Sequence, residues 1–311
     1  MERKIISEMS KYLHHKDTYF DDVFSFGNIV FSIDTFVEST DKPKKLSYED
    51  VGWKSVVAAI SDLVCKGVRP IGINFSFVFP RAFYRDYHLK IAKGIREACD
   101  HYGLIIGKGD TNEGRELTIT ICAWGVTLYE IPKRGNIFAG DKVIALGIFG
   151  YHALGYKVLN DELKVEDQSI LEKSTRLYRR PIVPMRDAIL IISKGYVRAA
   201  IDSSDGLAIS LYDLISYSDV DIIVENIPAD ETLVSELSKL KENTEEYIFY
   251  GGEEYIPIFA IRGDAWNDFM KFADNYSINY VYIGDVREGK GLVKFKNGRV
   301  LEKRGWDPFA L

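Results

Sequence analysis

The sequence predicts an α+β protein built as two domains, on three observations. The chain has 311 residues, roughly twice the length of an ordinary domain of about 150. Its first half interleaves period-two alternation with helical patterns. A segment at 130–141, EIPKRGNIFAGD, gathers Pro, two Gly and mixed charge, and the pattern restarts beyond it. The expected division is therefore 1–135 and 136–311.

Taken in order, NIVFSID (28–34) is a short alternating strand. Residues 50–66 follow as a helix whose stripe holds Val51, Ser55, Ala58, Ala59, Asp62 and Leu63. In IGINFSFVF (71–79), Ile71, Ile73, Phe75, Phe77 and Phe79 fall on one face, with Gly72, Asn74 and Ser76 on the other. An amphipathic helix is expected over 84–101. In ELTITICAW, Leu117, Ile119 and Ile121 oppose Thr118 and Thr120. Such one-sided alternation marks antiparallel sheet with one covered face.

After the boundary, KVIALGIFG (142–150) reads as a buried strand. Helices are expected at 151–176 and 184–194, a strand at 198–202, and a helix from Asp205 or soon after. Strands at 220–224, 256–261, 279–283 and 291–296 complete the mixed order. The apolar sheet faces of the first half exceed what one helical layer covers. Pairing them across a two-fold axis would hide them, so a homodimer is expected.

Composition narrows the partners. Forty basic against 46 acidic residues leave a net charge of −6, which argues against nucleic acid and against a polybasic membrane contact. Cys65, Cys99 and Cys122 form no CxxC pair and suit reduced, buried thiols. The start, MERKIISEMSKYLHHKD, has no apolar core of a signal peptide. No apolar run reaches the ~20 residues of a membrane span. A cytoplasmic protein is expected.

Several familiar machineries are missing: GxxxxGK[ST], GxGxxG, HExxH and GxSxG do not occur. The histidines at 14, 15, 88, 101 and 152 show no metal-ligand spacing. What stands out is a set of aspartates at the ends of elements. Asp21 and Asp22 precede the first strand, Asp34 closes it, and Asp62 interrupts the apolar stripe of helix 50–66. Asp110 lies in GKGDTNEG (107–114), and Asp202 and Asp205 bracket DSSDG. Asp205 also suits a helix N-cap, and Asp in Gly-rich turns is routine. Asp62 fits neither use, because a carboxylate on an apolar stripe is costly to bury without compensation. Grouped carboxylates lacking His or Cys partners favour Mg2+, whose shell is commonly completed by water and phosphates.

The ordered motifs resemble the thiamine-monophosphate kinases. That family lies within the superfamily of aminoimidazole ribonucleotide synthetase, selenophosphate synthetase and the hydrogenase-maturation dehydratase. FDDVF (20–24) is similar to G-D-D-x-A, and SIDTFVES (32–39) to S-T-D-x-x-V-E-G. GWKSVVAAISDLVCKGVRP (52–70) is similar to a helix ending N-L-S-D-x-x-A-M-G-A-x-P. GKGDT resembles G-G-D-T, RGNIFAGDKV resembles R-S-G-A-x-P-G-D-x-V, and IDSSDGL resembles I-D-x-S-D-G-L. GGEEY (251–255) and GWDPF (305–309) resemble the family's G-G-E-D-Y and its closing G-[WFY]-D-H-F.

The resemblance implies an aminoimidazole ribonucleotide synthetase-like fold. In it an N-terminal antiparallel sheet forms a barrel across a dimer, and a C-terminal α+β sandwich follows. It implies ATP- and Mg2+-dependent phosphorylation of thiamine monophosphate to the diphosphate. By position, the metal ligands are Asp22, Asp34, Asp62, Asp110, Asp202 and Asp205, with Ser32 assisting. Gly109, Asp110, Arg134 and Ser204 match nucleotide-contacting positions, Asp205 and Asp110 the catalytic ones, and Glu253 and Trp306 those that hold the thiamine moiety. The sequence departs from the pattern at Ile33, at Asp41 in place of a histidine, at Lys108 to Glu113, and in RRPIVPMR (179–186). Two other readings stay open: a superfamily relative using ATP on another small phosphorylated or carboxylate substrate, and a non-catalytic ATP-binding dimer.

Overall fold

The computed structural model describes residues 4–5, 8–9, 21–81 and 86–307. His14, His15, Pro308 and Phe309 lie outside the described residues. The first sheet is made of β1 (Phe24–Phe26), β2 (Ile29–Val37), β3 (Arg69–Pro80), β4 (Ile105–Gly114) and β5 (Thr118–Val126), in the spatial order β1-β2-β5-β3-β4. The alternation in β2, β3 and β5 puts Val30, Phe36, Ile73, Ile119 and Ile121 in the core. Two helices cover that face: α2 (Tyr48–Cys65), which follows the single turn α1 (Glu38–Asp41), and α3 (Tyr87–Tyr102).

The helix α2 starts where the Ser47 hydroxyl accepts the Asp50 N–H. From Asp50 to Cys65 every residue is buried except Asp62, which is half-buried. The helix is enclosed because α3 crosses it at backbone contact. A Cβ on Gly94 would lie 1.8 Å from the Glu49 carbonyl oxygen, and one on Gly52 would lie 2.2 Å from that of Ile91.

Several expectations change. Asp110 does not stand at the end of an element: GKGDTNEG is part of β4, which pairs parallel to β3, so the sheet is mixed rather than antiparallel. Its glycines disfavour strand in isolation, yet pairing demands one of them. A Cβ on Gly109 would meet the Phe75 ring at 1.9 Å. Asp34 lies within β2, which runs on to Val37, and does not close it. The expected helix 151–176 is two helices, α4 (Tyr151–Leu159) and α5 (Gln168–Arg179). The second begins where Asp167 accepts the N–H groups of Ser169 (2.9 Å) and Ile170 (3.1 Å).

The second sheet is also mixed. It comprises β6 (Lys142–Ala145), β7 (Val197–Ser203), β8 (Val220–Val224), β9 (Ile256–Ile261), β10 (Val281–Glu288) and β11 (Val293–Phe295). Their spatial order is β11-β8-β10-β6-β9-β7, with β11 parallel to β8 and the other pairs antiparallel. The strand expected over 142–150 stops at Ala145, and Gly150, at φ 99°, is the N-cap of α4. Further helices are α6 (Met185–Ser193), α7 (Leu207–Leu214), α8 (Glu231–Lys239), α9 (Thr244–Phe249) and α10 (Trp266–Tyr276). One apolar core joins α2 and the first sheet to Val183, Ile191, Phe259 and Ile261, so α2 is wedged between the sheets. Among the described residues, no helix is long and apolar enough to cross a membrane.

Candidate functional site

Four carboxylates converge at the buried end of α2. Asp62 comes from α2, Asp202 from β7, Asp34 from β2, and Asp22 from the segment entering β1. Oxygens of Asp22, Asp62 and Asp202 lie within 4.8 Å of one another. Burial, reinforced by Asp202 and Asp34, pushes the Asp62 carboxyl well up. Burial, with Asp202 and Asp41, pushes Asp34 up to about 6. Burial also raises Asp202, against the pull of the Ser61 hydroxyl 2.6 Å away. Charges in such surroundings call for compensation.

Part of it is built in. The Arg134 guanidinium pairs with Asp22 Oδ1 and lies 3.9 Å from Asp213. Lys66, fully buried, approaches Asp22 Oδ2 at 2.8 Å and Asp21 Oδ1 at 2.5 Å. The Ser32 hydroxyl donates to the Ala59 carbonyl and so ties β2 to α2.

Asp205 and Ser204 stand in the turn between β7 and α7. Asp205 is not the N-cap: that position is Gly206, at φ 110°, with no side-chain cap. Instead the turn gathers two distant segments by backbone bonds. The Glu253 N–H donates to the Ser204 carbonyl at 2.6 Å, the Tyr255 N–H to that of Ser203 at 2.8 Å, and the Trp306 N–H to that of Asp205 at 2.8 Å. The fit is tight, since a Cβ on Gly252 would lie 2.8 Å from the Ser204 carbonyl oxygen.

A cavity of about 870 Å³ opens beside these residues, lined among others by Asp34, Asp41, Lys54, Ser204, Asp205, Glu253 and Trp306. Its floor holds Lys54, 2% exposed, with Nζ 2.9 Å from Glu253 Oε2 and 3.4 Å from the centroid of the Tyr178 ring. Burial pulls the Lys54 ammonium down. Asp41 accepts the Val37 N–H at 2.6 Å, and burial pushes it up to about 6. Trp306 is 47% exposed and offers its ring to the opening. His152 is buried nearby, and desolvation pulls it down to about 3, so its imidazole is neutral.

Two expected residues stand apart. Gly109 and Asp110 lie on β4 at the sheet's far edge. The register runs from Asp34 to Ile121, Phe75 and then Gly109, three strand spacings or about 14 Å. Lys54, Lys66 and Tyr178, which hold the site together, escape a reading of motifs. The available signal is a lysine inside or closing a helix that is otherwise apolar.

A family model described as AIR synthase related protein, N-terminal domain, matches residues 21–127. The thiamine-monophosphate kinase of Nitrosopumilus maritimus (strain SCM1) is 31% identical over 311 residues, 99% of this chain and 98% of that protein. That of Pyrobaculum calidifontis is 28% identical over 93% of this chain and 90% of its own. A solved structure described as AaThiL complexed with AMPPCP and TMP superposes with a TM-score of 0.86 at 25% identity, covering 98% of this chain and 96% of that one. Identity of this extent over the whole length settles the matter: the chain belongs to the thiamine-monophosphate kinase family.

Proposed function

We propose that this chain transfers the γ-phosphoryl group of ATP to the phosphate of thiamine monophosphate, yielding thiamine diphosphate and ADP. The observation that carries the reading is the bonding of the 251–255 and 305–307 segments onto the Ser204–Asp205 turn. It sets one cavity between an acidic cluster and an exposed tryptophan.

The cluster fits Mg2+: its donors are oxygens alone, and burial raises Asp62 and Asp202, with repulsion from Asp202 and Asp34 adding to it at Asp62. Asp22, Asp62 and Asp202, with Asp34 beside them, would hold the ion. When bound, Mg2+ neutralises charge between the two phosphate groups. The chain's own residues do the positioning that phosphoryl transfer requires. Arg134 presents a forked donor beside the cluster. Asp205, in the turn, faces the reacting phosphates. The acceptor is a phosphate monoester, largely dianionic at neutral pH given a second pKa of about 6, and needs no general base. His152, pulled down to about 3 by burial, is too weak a base to serve as one. On the acceptor side, the Trp306 face attracts the cationic thiazolium. Glu253, anchored by Lys54, takes the aminopyrimidine.

ADP release is expected with thiamine monophosphate and not with thiamine, whose neutral hydroxyl lacks an anion and finds no base. Trp306→Ala is expected to raise KM for the monophosphate about three- to thirtyfold, equivalent to ~0.5–2 kcal/mol, and to leave KM for ATP near its original value. Chromatography of products with thiamine, its monophosphate and no acceptor in parallel is the test. A blank-level rate with the monophosphate removes the kinase reading and leaves a relative acting on another acceptor.

The same reading makes the enzyme a cytoplasmic homodimer. On the uncovered face of the first sheet, Phe26 is 76% and Ile33 67% exposed, and Ile105 on the edge strand β4 is 59% exposed. An apolar face and a ten-residue strand at the edge of the sheet, among the described residues, are what association hides. A second copy there would also bring Gly109 and Asp110 to a nucleotide. Sedimentation is expected to give a dimer at micromolar concentration. An active monomer under those conditions would refute it.

A further inference from the structure

Lys66 is the C-cap residue of α2, and its side chain runs inward. Its Nζ, with no exposed surface, is 2.5 Å from Asp21 Oδ1, 2.8 Å from Asp22 Oδ2, 2.6 Å from the Ala200 carbonyl oxygen and 3.2 Å from that of Pro132. An ammonium has three protons to give, yet four oxygens from three segments surround this one. Two carboxylates and two backbone carbonyls form the donor set typical of a hard divalent cation. The end of a helix, with its partial negative charge, further favours a cation there.

The charges agree. Leaving aside Asp213, 3.9 Å from Arg134, the charges of Asp21, Asp22, Asp62 and Asp202 set against Lys66 and Arg134 leave two negative charges. One divalent ion cancels them, before Asp34 and the phosphates of a nucleotide are added. Asp22 has both oxygens engaged, Oδ1 by Arg134 and Oδ2 by Lys66. We infer that the Lys66 ammonium is a resident cation standing where a divalent ion would otherwise bind, so that this chain takes up one such ion fewer than the same fold with a neutral side chain at that position. The inference rests on reading the Asp22–Asp62–Asp202 cluster as a divalent-cation site.

The test replaces the charge and counts ions. Lys66→Met keeps length without charge, and Lys66→Gln keeps donors for the two carbonyls. Mn2+ binding to the full chain is followed by electron paramagnetic resonance, and thermal unfolding is recorded in chelator and in saturating Mg2+. Both variants are expected to bind one more Mn2+ per chain than the unaltered protein. Their Tm is expected to gain about 5 °C more from Mg2+ than the unaltered protein gains. A variant that folds only with Mg2+ supports the inference in its strongest form. Unchanged stoichiometry in both variants overturns it. So does failure of both to fold whatever the metal, which would make Lys66 a structural pin. Absence of Mn2+ binding to the unaltered chain would defeat the cation-site reading itself, and this inference with it.

Discussion

Asp62→Asn is expected to lower kcat by at least about 10²–10³-fold, the scale on which a preorganised charge at a reacting phosphate counts, while the protein becomes no less stable. The two halves of that expectation have one cause. Burial and the neighbouring Asp202 and Asp34 hold the Asp62 carboxyl well above its ordinary range. The charged side chain is therefore a strain on the metal-free fold. Asparagine keeps the shape and removes the repulsion, so unfolding in chelator should occur at an equal or higher temperature. Removing the same charge removes a ligand, so turnover collapses. Loss of activity with retained or raised stability marks a functional carboxylate, whereas a structural one would show the reverse. Asp205→Asn is expected to act alike on turnover. Either variant running near its normal rate at saturating Mg2+ would end the assignment.

The second large effect is on how stability depends on pH. In chelator, the protein is expected to be more stable at pH 5 than at pH 7. A carboxyl whose pKa is raised in the folded state takes up protons that the unfolded chain does not, so its contribution is present at low pH and is lost as pH rises through the folded value. Asp34 moves from 3.8 to about 6; at 1.36 kcal/mol per unit its ionisation costs about 3 kcal/mol between those limits. Asp41 moves over the same range, and Asp62 and Asp202 shift in the same direction. Saturating Mg2+ should flatten or invert the slope, because the ion favours the ionised forms. Asp221, Asp230 and Asp285 oppose this, but Lys294, Lys173 and Lys142 hold them low, so they lose their partners only in more acidic solution. His152, pulled from 6.5 to about 3 by burial, also opposes it and costs about 2 kcal/mol at pH 5, less than the four raised aspartates contribute together. Thermal unfolding across pH 5–7, with and without Mg2+, gives the answer. A metal-free midpoint that is flat or climbs from pH 5 to 7 would contradict it.

Much of the first sheet was legible because one covered face imprints alternation, as in β2, β3 and β5. The strand β4 was not, since Gly107, Gly109, Asp110 and Asn112 have turn composition and become a strand only against β3. The break between α4 and α5 was hidden because both segments carry helical periodicity. The aspartates could be read from their motifs. Their counter-charges could not: Lys54 meets Glu253, and Lys66 meets Asp21 and Asp22, only after the sheets close on α2. Likewise the Ser204–Glu253 and Asp205–Trp306 bonds join segments about 50 and 100 residues apart, a separation across which no local pattern carries information.

The crossing at Gly52 and Gly94 bears on how such a site keeps its dimensions. Three of its charged groups, Lys54, Asp62 and Lys66, sit along α2 or at its end. Their height along the helix axis is fixed by main chain resting on main chain, not by side chains that could be exchanged for others of similar bulk. Two absent methyl-sized groups thus act as a gauge block. Residues around the helix can vary in size and the fit will absorb it, but the axial setting of the three charges cannot drift without lifting one backbone off the other.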